Sequence, residues 1–257
     1  MKRTIDLHSH IAWEIDDGMP SKEDALLALN QAKEDGMEAI CSTPHIIPGQ
    51  IDSSFYQSIR NRQEELKAIS PLSIYFGGEV MMNGEFIDYI DEGLYPTING
   101  TKYLLVEFNV LKDIHQIPWH QDSLYECVIR GYRPVIAHIE RYFKDGLDWD
   151  LIQEWQDNGY VLQINRTSLL GLTGSNAQKN AWKLLEKGVG HLVCTDTHRA
   201  SGSRIECLSD VYEQLTNKIG EENARLLCYK NPQSILIGDE VKDLEIRKRK
   251  FFHFFRR

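Results

Sequence analysis

The sequence has no apolar run of membrane-spanning length and no apolar leader at its N-terminus, so a cytoplasmic protein is expected. Cysteine is sparse: Cys41, Cys127, Cys194, Cys207 and Cys228 are scattered, odd in number and form no C-x-x-C pair. That argues against a disulfide framework and fits a reducing compartment. No Walker-type phosphate loop is present, which removes that route to nucleotide chemistry. Positive charge is also short, with 29 Lys and Arg against 38 Asp and Glu, a net charge of −9. A nucleic-acid backbone is thereby disfavoured as the main partner, and an anionic substrate would need a local source of positive charge. Bound metal ions are one such source.

What is present is ordinary globular composition, 42% hydrophobic over 257 residues, enough for one large α/β domain or two small ones. Short apolar strands alternate with helical stretches. Strands are expected at 3–9, 39–43, 74–76, 103–108, 134–138, 160–164 and 191–195. Helices are expected from Ser21 to Gly36, at 53–69, around 85–91, and at 119–130, 148–157 and 176–187. A last helical region is expected at about 204–230, broken by Asn231-Pro232. Ser21 with Asp24 reads as a capping box, and Ala25, Leu29 and Ala32 as the buried stripe of the first helix. Seven strand–helix units with β-rich strands call for a parallel sheet with helices outside. That number of units favours a closed or distorted (β/α) barrel, and no linker divides it.

Acid and histidine residues recur where these strands end. His8 and His10, in Asp6-Leu7-His8-Ser9-His10, follow the first strand and share a face, since side chains two apart point the same way. His45 follows the second strand, Glu79 the third, Glu107 ends the fourth, His138 the fifth, and Asp196 and His198 follow the seventh. Singly, each is an ordinary solvated loop residue, and so is the acidic turn Asp16-Asp17-Gly18. Jointly, the C-terminal ends of barrel strands converge on one mouth, where active sites are built. Side chains of types that bind divalent cations would surround one pocket. Carboxylates crowded there without a cation would repel one another.

These residues resemble the polymerase and histidinol phosphatase (PHP) superfamily. Its ordered signature runs H-x-H, strand-end His, Glu, Glu or His, His, then D-x-H. Within it the sequence looks like the bacterial manganese-dependent protein-tyrosine phosphatases of capsule and exopolysaccharide clusters. The stretches that carry the likeness are Asp6–His10, Asp16-Asp17-Gly18, Thr43-Pro44-His45, Gly78-Glu79, Val106-Glu107-Phe108, Ala137–Tyr142 and Ser168-Leu169-Leu170-Gly171. The resemblance covers about residues 4–240 and implies a distorted (β/α)7 TIM-like barrel of the PHP type over residues 1–246. It implies three divalent ions, Mn being the family's usual metal, with Fe, Co or Zn also suited to these ligands. His8, His10, Glu79 and Asp196 would hold the first. Glu79 would bridge to a second, with Glu107 and His138. Asp17, His45 and His198 would hold the third. Two arginines would bind the substrate phosphate: Arg141, three residues after His138, and Arg204 after the D-x-H motif, with Arg199 as its competitor. Met81-Met82-Asn83 departs from what the family often carries after the Glu and would alter the pocket rim.

The implied activity is a metal-dependent protein-tyrosine phosphatase, acting by metal-activated hydroxide on a membrane-associated bacterial tyrosine kinase that regulates capsular or exopolysaccharide synthesis. Three divalent ions less four carboxylates leave about +2, enough to attract a phosphate dianion. The alternatives are a small-molecule phosphomonoesterase of the same superfamily, histidinol-phosphatase-like, and an inactive metal-binding docking module. Cys127 and Arg133 match the C-x5-R spacing of cysteine phosphatases. Cys127 is expected inside a helix, however, not in the Gly-rich strand–helix turn that chemistry needs. Residues 247–257 form a basic-aromatic tail suited either to an anionic membrane surface or to packing under the barrel.

Overall fold

The computed structural model describes residues 3–246; the C-terminal tail lies outside the described residues. Strands β1 (Thr4–Ser9), β2 (Met37–Ser42), β3 (His45–Ile46), β4 (Ser73–Phe76), β5 (Glu79–Met81), β6 (Tyr103–Glu107), β7 (Arg133–Ile136), β8 (Val161–Asn165) and β9 (Leu192–Cys194) carry the sheet. Around them run α1 (Lys22–Asp35), α2 (Ser53–Ile69), α3 (Phe86–Tyr89), α4 (His120–Ile129), α5 (Trp149–Asp157), α6 (Arg166–Leu169), α7 (Ser175–Glu186), α8 (Ser209–Ile219), α9 (Glu221–Arg225) and α10 (Asn231–Ile237). The strands pair in parallel.

Two of the expected strands end where expected, at Pro44 and Gly77, and each is followed by a further short strand that continues the same stave. β2 and β3 are one stave interrupted at Thr43-Pro44, where proline has no N–H to give the ladder. β4 and β5 are one stave interrupted at Gly77-Gly78. The Gly77 N–H donates to the Ser42 carbonyl and the Glu79 N–H to the Pro44 carbonyl, so the two staves stay in contact across the breaks. The ring closes between the first and last staves. Ser9 bridges Thr197 in parallel, the Asp196 N–H donates to the His8 carbonyl, and the His10 N–H to the Thr197 carbonyl. Seven staves in chain order form the distorted parallel barrel.

Side-chain alternation assigns the two faces. Tyr103, Leu105, Val135, Ala137, Val161, Leu192 and Cys194 join Ile5, Leu7, Ala39 and Cys41 in the barrel interior, which Ile235 and Leu236 of α10 close from below. The intervening Ile40, Leu104, Val106, Ile136, Leu162 and Val193 pack under the helices. Removing a side chain such as Leu105 from that interior would cost about 2–5 kcal/mol through lost burial and the cavity left behind. The same period of two carries the inner face upward from apolar to polar residues: Cys41 to His45, Tyr75 to Glu79, Leu105 to Glu107, Val161 to Gln163 and Asn165, and Cys194 to Asp196. The mouth is polar because the inner face changes composition at the strand ends.

The helices begin and end on local chemistry. The Ser21 hydroxyl accepts the Asp24 N–H, and Gly36, in the left-handed region, ends α1 over buried Ala25, Ala28, Leu29 and Ala32. Asp52 caps α2 and Asp148 caps α5 in the same way. The last helical region differs from expectation. Residues 199–208 are an ordered non-helical loop and α8 starts only at Ser209. Asn231-Pro232 does not stop the chain's helix. Pro232 sits in the first turn of α10, directly after a π-helical turn over Leu226–Lys230.

Candidate active site

The barrel mouth gathers all nine residues predicted as metal ligands. His8 and His10 face each other, Nε2 to Nε2, at 3.3 Å. Two ring nitrogens cannot both be acceptors for one another, and that approach suits lone pairs converging on a cation. Glu79 reaches both, with Oε1 3.2 Å from His8 Nε2 and Oε2 3.1 Å from His10 Nε2. Asp196 Oδ1 lies 3.6 Å from each. His138 Nε2 stands 3.2 Å from Glu79 Oε1 and 3.7 Å from Glu107 Oε2. Asp17 Oδ1 lies 3.4 Å from His45 Nε2 and 3.3 Å from His198 Nε2.

The grouping differs in detail from the expected three sets. His45 is shared: its Nε2 faces Asp17, while its Nδ1 lies 3.2 Å from Glu79 Oε2 and 3.0 Å from Glu107 Oε1. His10 converges with Asp17, His45 and His198 as well as with His8 and Asp196. The cause is geometric. His45 and Glu79 are direct partners across β3 and β5, so the imidazole sits between two groups of carboxylates. His45 Nδ1 and Glu107 Oε1 are buried and close, yet make no hydrogen bond. A donor set of imidazole nitrogens and carboxylate oxygens converging at these distances, with buried His45 Nδ1 and Glu107 Oε1 left without a hydrogen bond, fits divalent cations.

Two of these residues adopt backbone conformations that only tertiary constraint sustains. His138 has φ 34° and Asp196 φ 53°, in the left-handed region unusual for residues with a Cβ. His138 directly follows inner-face Ala137, and Asp196 continues the inner face two residues after Cys194. Gly18 serves the same site by close approach: a Cβ there would lie 2.3 Å from the His10 carbonyl oxygen. Only glycine lets the Asp16-Asp17 turn fold against His10.

A second ring of side chains orients the first, and much of it is absent from the sequence reading. Gln163 Oε1 lies 3.0 Å from His8 Nδ1 and also accepts the His138 N–H. Gln163 Nε2 donates to Asn165 Oδ1, and Asn165 Nδ2 donates to Asp196 Oδ2. Asp16 Oδ2 holds His10 Nδ1 at 2.7 Å and accepts the His45 N–H. Each outer partner holds the Nδ1 side of its ring and leaves Nε2 for the mouth, as outer-shell groups do around metal-ligating histidines. Buried Glu206 sits between the two outer loops, accepting the Ser9 hydroxyl, which lies between His8 and His10, and standing 3.5 Å from the Thr195 hydroxyl beside Asp196, which donates to Asp6. The signal for Gln163 and Asn165 was available: two amides, two apart, interrupt an otherwise apolar strand.

Protonation in the mouth follows from burial and crowding. Burial together with Glu79 pushes the Glu107 carboxyl up to about 7. Burial pulls the His138 imidazole down to about 4. For His45, burial is outweighed by Asp17 and Glu107, which hold the ring up at about 12. For His10, burial is outweighed by Asp16, and the ring stands at about 10. Glu79, buried but ringed by His8, His10 and His138, lies well below the carboxylate range. The carboxylates therefore need positive charge beside them, which protons on imidazoles or a cation can supply. A cation would displace those protons.

The arginines divide by role. Arg204 Nη2 lies 2.8 Å from Asp196 Oδ1 and 3.0 Å from His198 Nε2. Arg141 Nη1 lies 3.6 Å from Asp196 Oδ2. Both guanidinium groups face the mouth. Arg199 instead donates to the backbone carbonyls of Asp17, Gly18 and His198 and latches the acidic turn. Cys127 is fully buried in α4, with its thiol pushed by burial up to about 12, and makes no part of this mouth. Among the described residues no helix is long and apolar enough to cross a membrane.

Comparison with known proteins agrees with this architecture. The chain is 30% identical over 244 residues to the tyrosine-protein phosphatase CpsB of Streptococcus agalactiae serotype III (strain NEM316), covering 90% of this chain and 98% of that relative. It is 27% identical over 260 residues to the tyrosine-protein phosphatase YwqE of Bacillus subtilis (strain 168), covering 98% and 100%. A solved chain from the metal-dependent tyrosine phosphatases YwqE of Bacillus subtilis and CpsB of Streptococcus pneumoniae superposes with a TM-score of 0.82. It shares 26% identity and covers 95% of this chain and 100% of that one. The phosphotriesterase homology protein of Escherichia coli, at a TM-score of 0.58 and 10% identity, shares the fold alone. Residues 4–237, which hold every one of the mouth's ligand-type side chains, match the family described as capsular polysaccharide synthesis, CpsB/CapC, and to that family this chain belongs.

Proposed function

We propose that this protein is a metal-dependent protein-tyrosine phosphatase whose substrate is a phosphotyrosine-bearing bacterial tyrosine kinase that regulates capsule synthesis. The observation that carries the reading is the single mouth in which nine imidazole and carboxylate side chains converge and two arginines face inward. The names of the relatives supply the substrate class, and the family description supplies the capsule context.

Three divalent ions, with manganese the first choice, fit the donor set. His8, His10, Glu79 and Asp196 would hold one, Glu79, Glu107 and His138 a second, and Asp17, His45 and His198 a third. His45 and His10 stand where neighbouring sets meet. Bound there, such ions supply positive charge for the phosphoryl oxygens and lower the pKa of water toward 7. The chain's own residues do the rest. Arg141 and Arg204 bind the phosphate and neutralise charge that grows on it in the transition state. Asp196 holds both guanidinium groups near the mouth in the absence of substrate. Tyrosine leaves as a phenolate of pKa near 10, so no protein general acid is assigned.

The test is turnover of a phosphotyrosine peptide taken from a capsule-assembly kinase. Chelation should abolish it and added Mn restore it, and the peptide should be preferred to small alkyl monoesters such as histidinol phosphate. Restored activity confined to the small esters would move the reading to a small-molecule phosphomonoesterase. No turnover with metal restored would make the mouth a docking module.

A further inference from the structure

A second cavity of about 260 Å³ opens beside the mouth, with Ile47, Met81, Asn109, Lys112, Ile117 and Trp119 in its wall. Its position follows from the strand ends. Ile47, Met81 and Asn109 each come two residues after a ligand-type residue: His45, Glu79 and Glu107. Met81 ends β5 on the same face as Glu79, while Ile47 and Asn109 stand just past the ends of β3 and β6. Met81 is the direct partner of Glu107 across β5 and β6, so this mostly apolar wall adjoins the charged ring at the level of Glu107. Trp119 is fixed there by its indole N–H, which donates to the Met82 carbonyl at 2.8 Å.

We infer that this cavity receives the phenyl ring of the substrate phosphotyrosine, making Ile47, Met81 and Trp119 the residues that select aryl over alkyl phosphates. The inference rests on the phosphatase reading above and deepens it. A phosphoryl group held by the charged ring leaves its ester oxygen pointing outward, and a phenyl ring joined through that oxygen spans the interval to the adjoining wall. The volume suffices, since an apolar cavity of about 150 Å³ accepts benzene. The wall chemistry also suits an aromatic: an aliphatic side chain, a thioether and an indole offer dispersion, sulfur–ring and ring–ring contacts. Lys112 and Asn109, exposed at the cavity's lip, leave a polar edge for the peptide backbone that carries the ring. An alkyl phosphate with a charged or hydroxylated chain gains nothing from such a wall.

The experiment measures binding of benzylphosphonate and methylphosphonate to the full-length, Mn-loaded protein by calorimetry. It compares the wild type with Ile47→Ser, Met81→Ser and Met81→Leu. The wild type should prefer the benzyl compound by tenfold or more. Both serine variants should cut that preference below threefold, Met81→Leu should keep it, and methylphosphonate affinity should stay the same in all four, which also reports an intact phosphate site. An unchanged benzyl preference in the serine variants overturns the inference. So does a pattern in which they slow long phosphopeptides but leave benzylphosphonate binding untouched, because the cavity would then hold a flanking residue. Failure of the phosphatase reading looks different: the wild type would not hydrolyse phosphotyrosine at all.

Discussion

Replacing Gln163 by leucine tests the outer ring of the mouth without touching any ligand-type side chain. The residue is fully buried, and leucine is close to it in shape. The change strands three groups: His8 Nδ1, the His138 N–H and Asn165 Oδ1, each now satisfied by the Gln163 amide. A buried polar group left without a partner costs about 1–3 kcal/mol, so roughly 3 kcal/mol or more is at stake. For a chain of this size that corresponds to a fall of roughly 6–12 °C in Tm. The second effect concerns metal. Without its Nδ1 partner the His8 ring can rotate, and loss of such an outer contact typically weakens metal binding about 10–100-fold. Calorimetric unfolding of the chelated protein and Mn titration of the folded protein measure the two separately. A variant that binds Mn within twofold of the wild type would refute the claim that Gln163 aims His8, whatever its Tm.

Arg141→Ala should lower turnover about 10²-fold, the usual effect of removing a donor aimed at transition-state charge, and a change below twofold in steady-state kinetics would take Arg141 out of the mechanism. Cys127→Ala should leave metal-restored turnover within twofold of the wild type; a loss of tenfold or more would reinstate thiol chemistry. Burial, together with the Asp6 carboxyl, raises Glu206 well above the ordinary carboxyl value, so the folded chain keeps a proton that the unfolded chain releases. Its contribution to stability is complete below the unfolded value near ~4.3 and is lost as pH climbs through the raised one. Tm measured across that window should fall with pH in the wild type and fall less in Glu206→Gln. Equal slopes would refute the assignment.

The sequence pattern made the alternation of staves and helices legible because parallel strands buried on both faces are continuous apolar runs. It made the nine ligand-type residues legible because charged groups at strand ends have no packing reason to recur in that order. Other features had no local signature. The resumption of two staves as β3 and β5, beyond the breaks that Pro44 and Gly77-Gly78 mark in the sequence, depends on how neighbouring strands exchange hydrogen bonds. The late start of α8 at Ser209 follows from the loop that brings Arg204 to Asp196, a tertiary demand stronger than helical propensity. Pro232 in the first turn of α10 was misread as a terminator because the π turn before it leaves no mark in composition. Glu206 was invisible as a site residue, since its partners Ser9 and Thr195 are distant in sequence. From the sequence Arg204 is preferred, with Arg199 as its competitor; the structure sends the Arg204 guanidinium to the mouth and that of Arg199 to backbone carbonyls.

The central claim is that distant imidazole and carboxylate groups form one cage for divalent cations. Anomalous diffraction at the Mn edge, from crystals of the full-length chain grown with MnCl2, tests it directly. The account predicts peaks within the barrel mouth, up to three in number, each in contact with residues from the set His8, His10, Asp17, His45, Glu79, Glu107, His138, Asp196 and His198. A map with no peak there, or with Mn only on surface carboxylates, would contradict it.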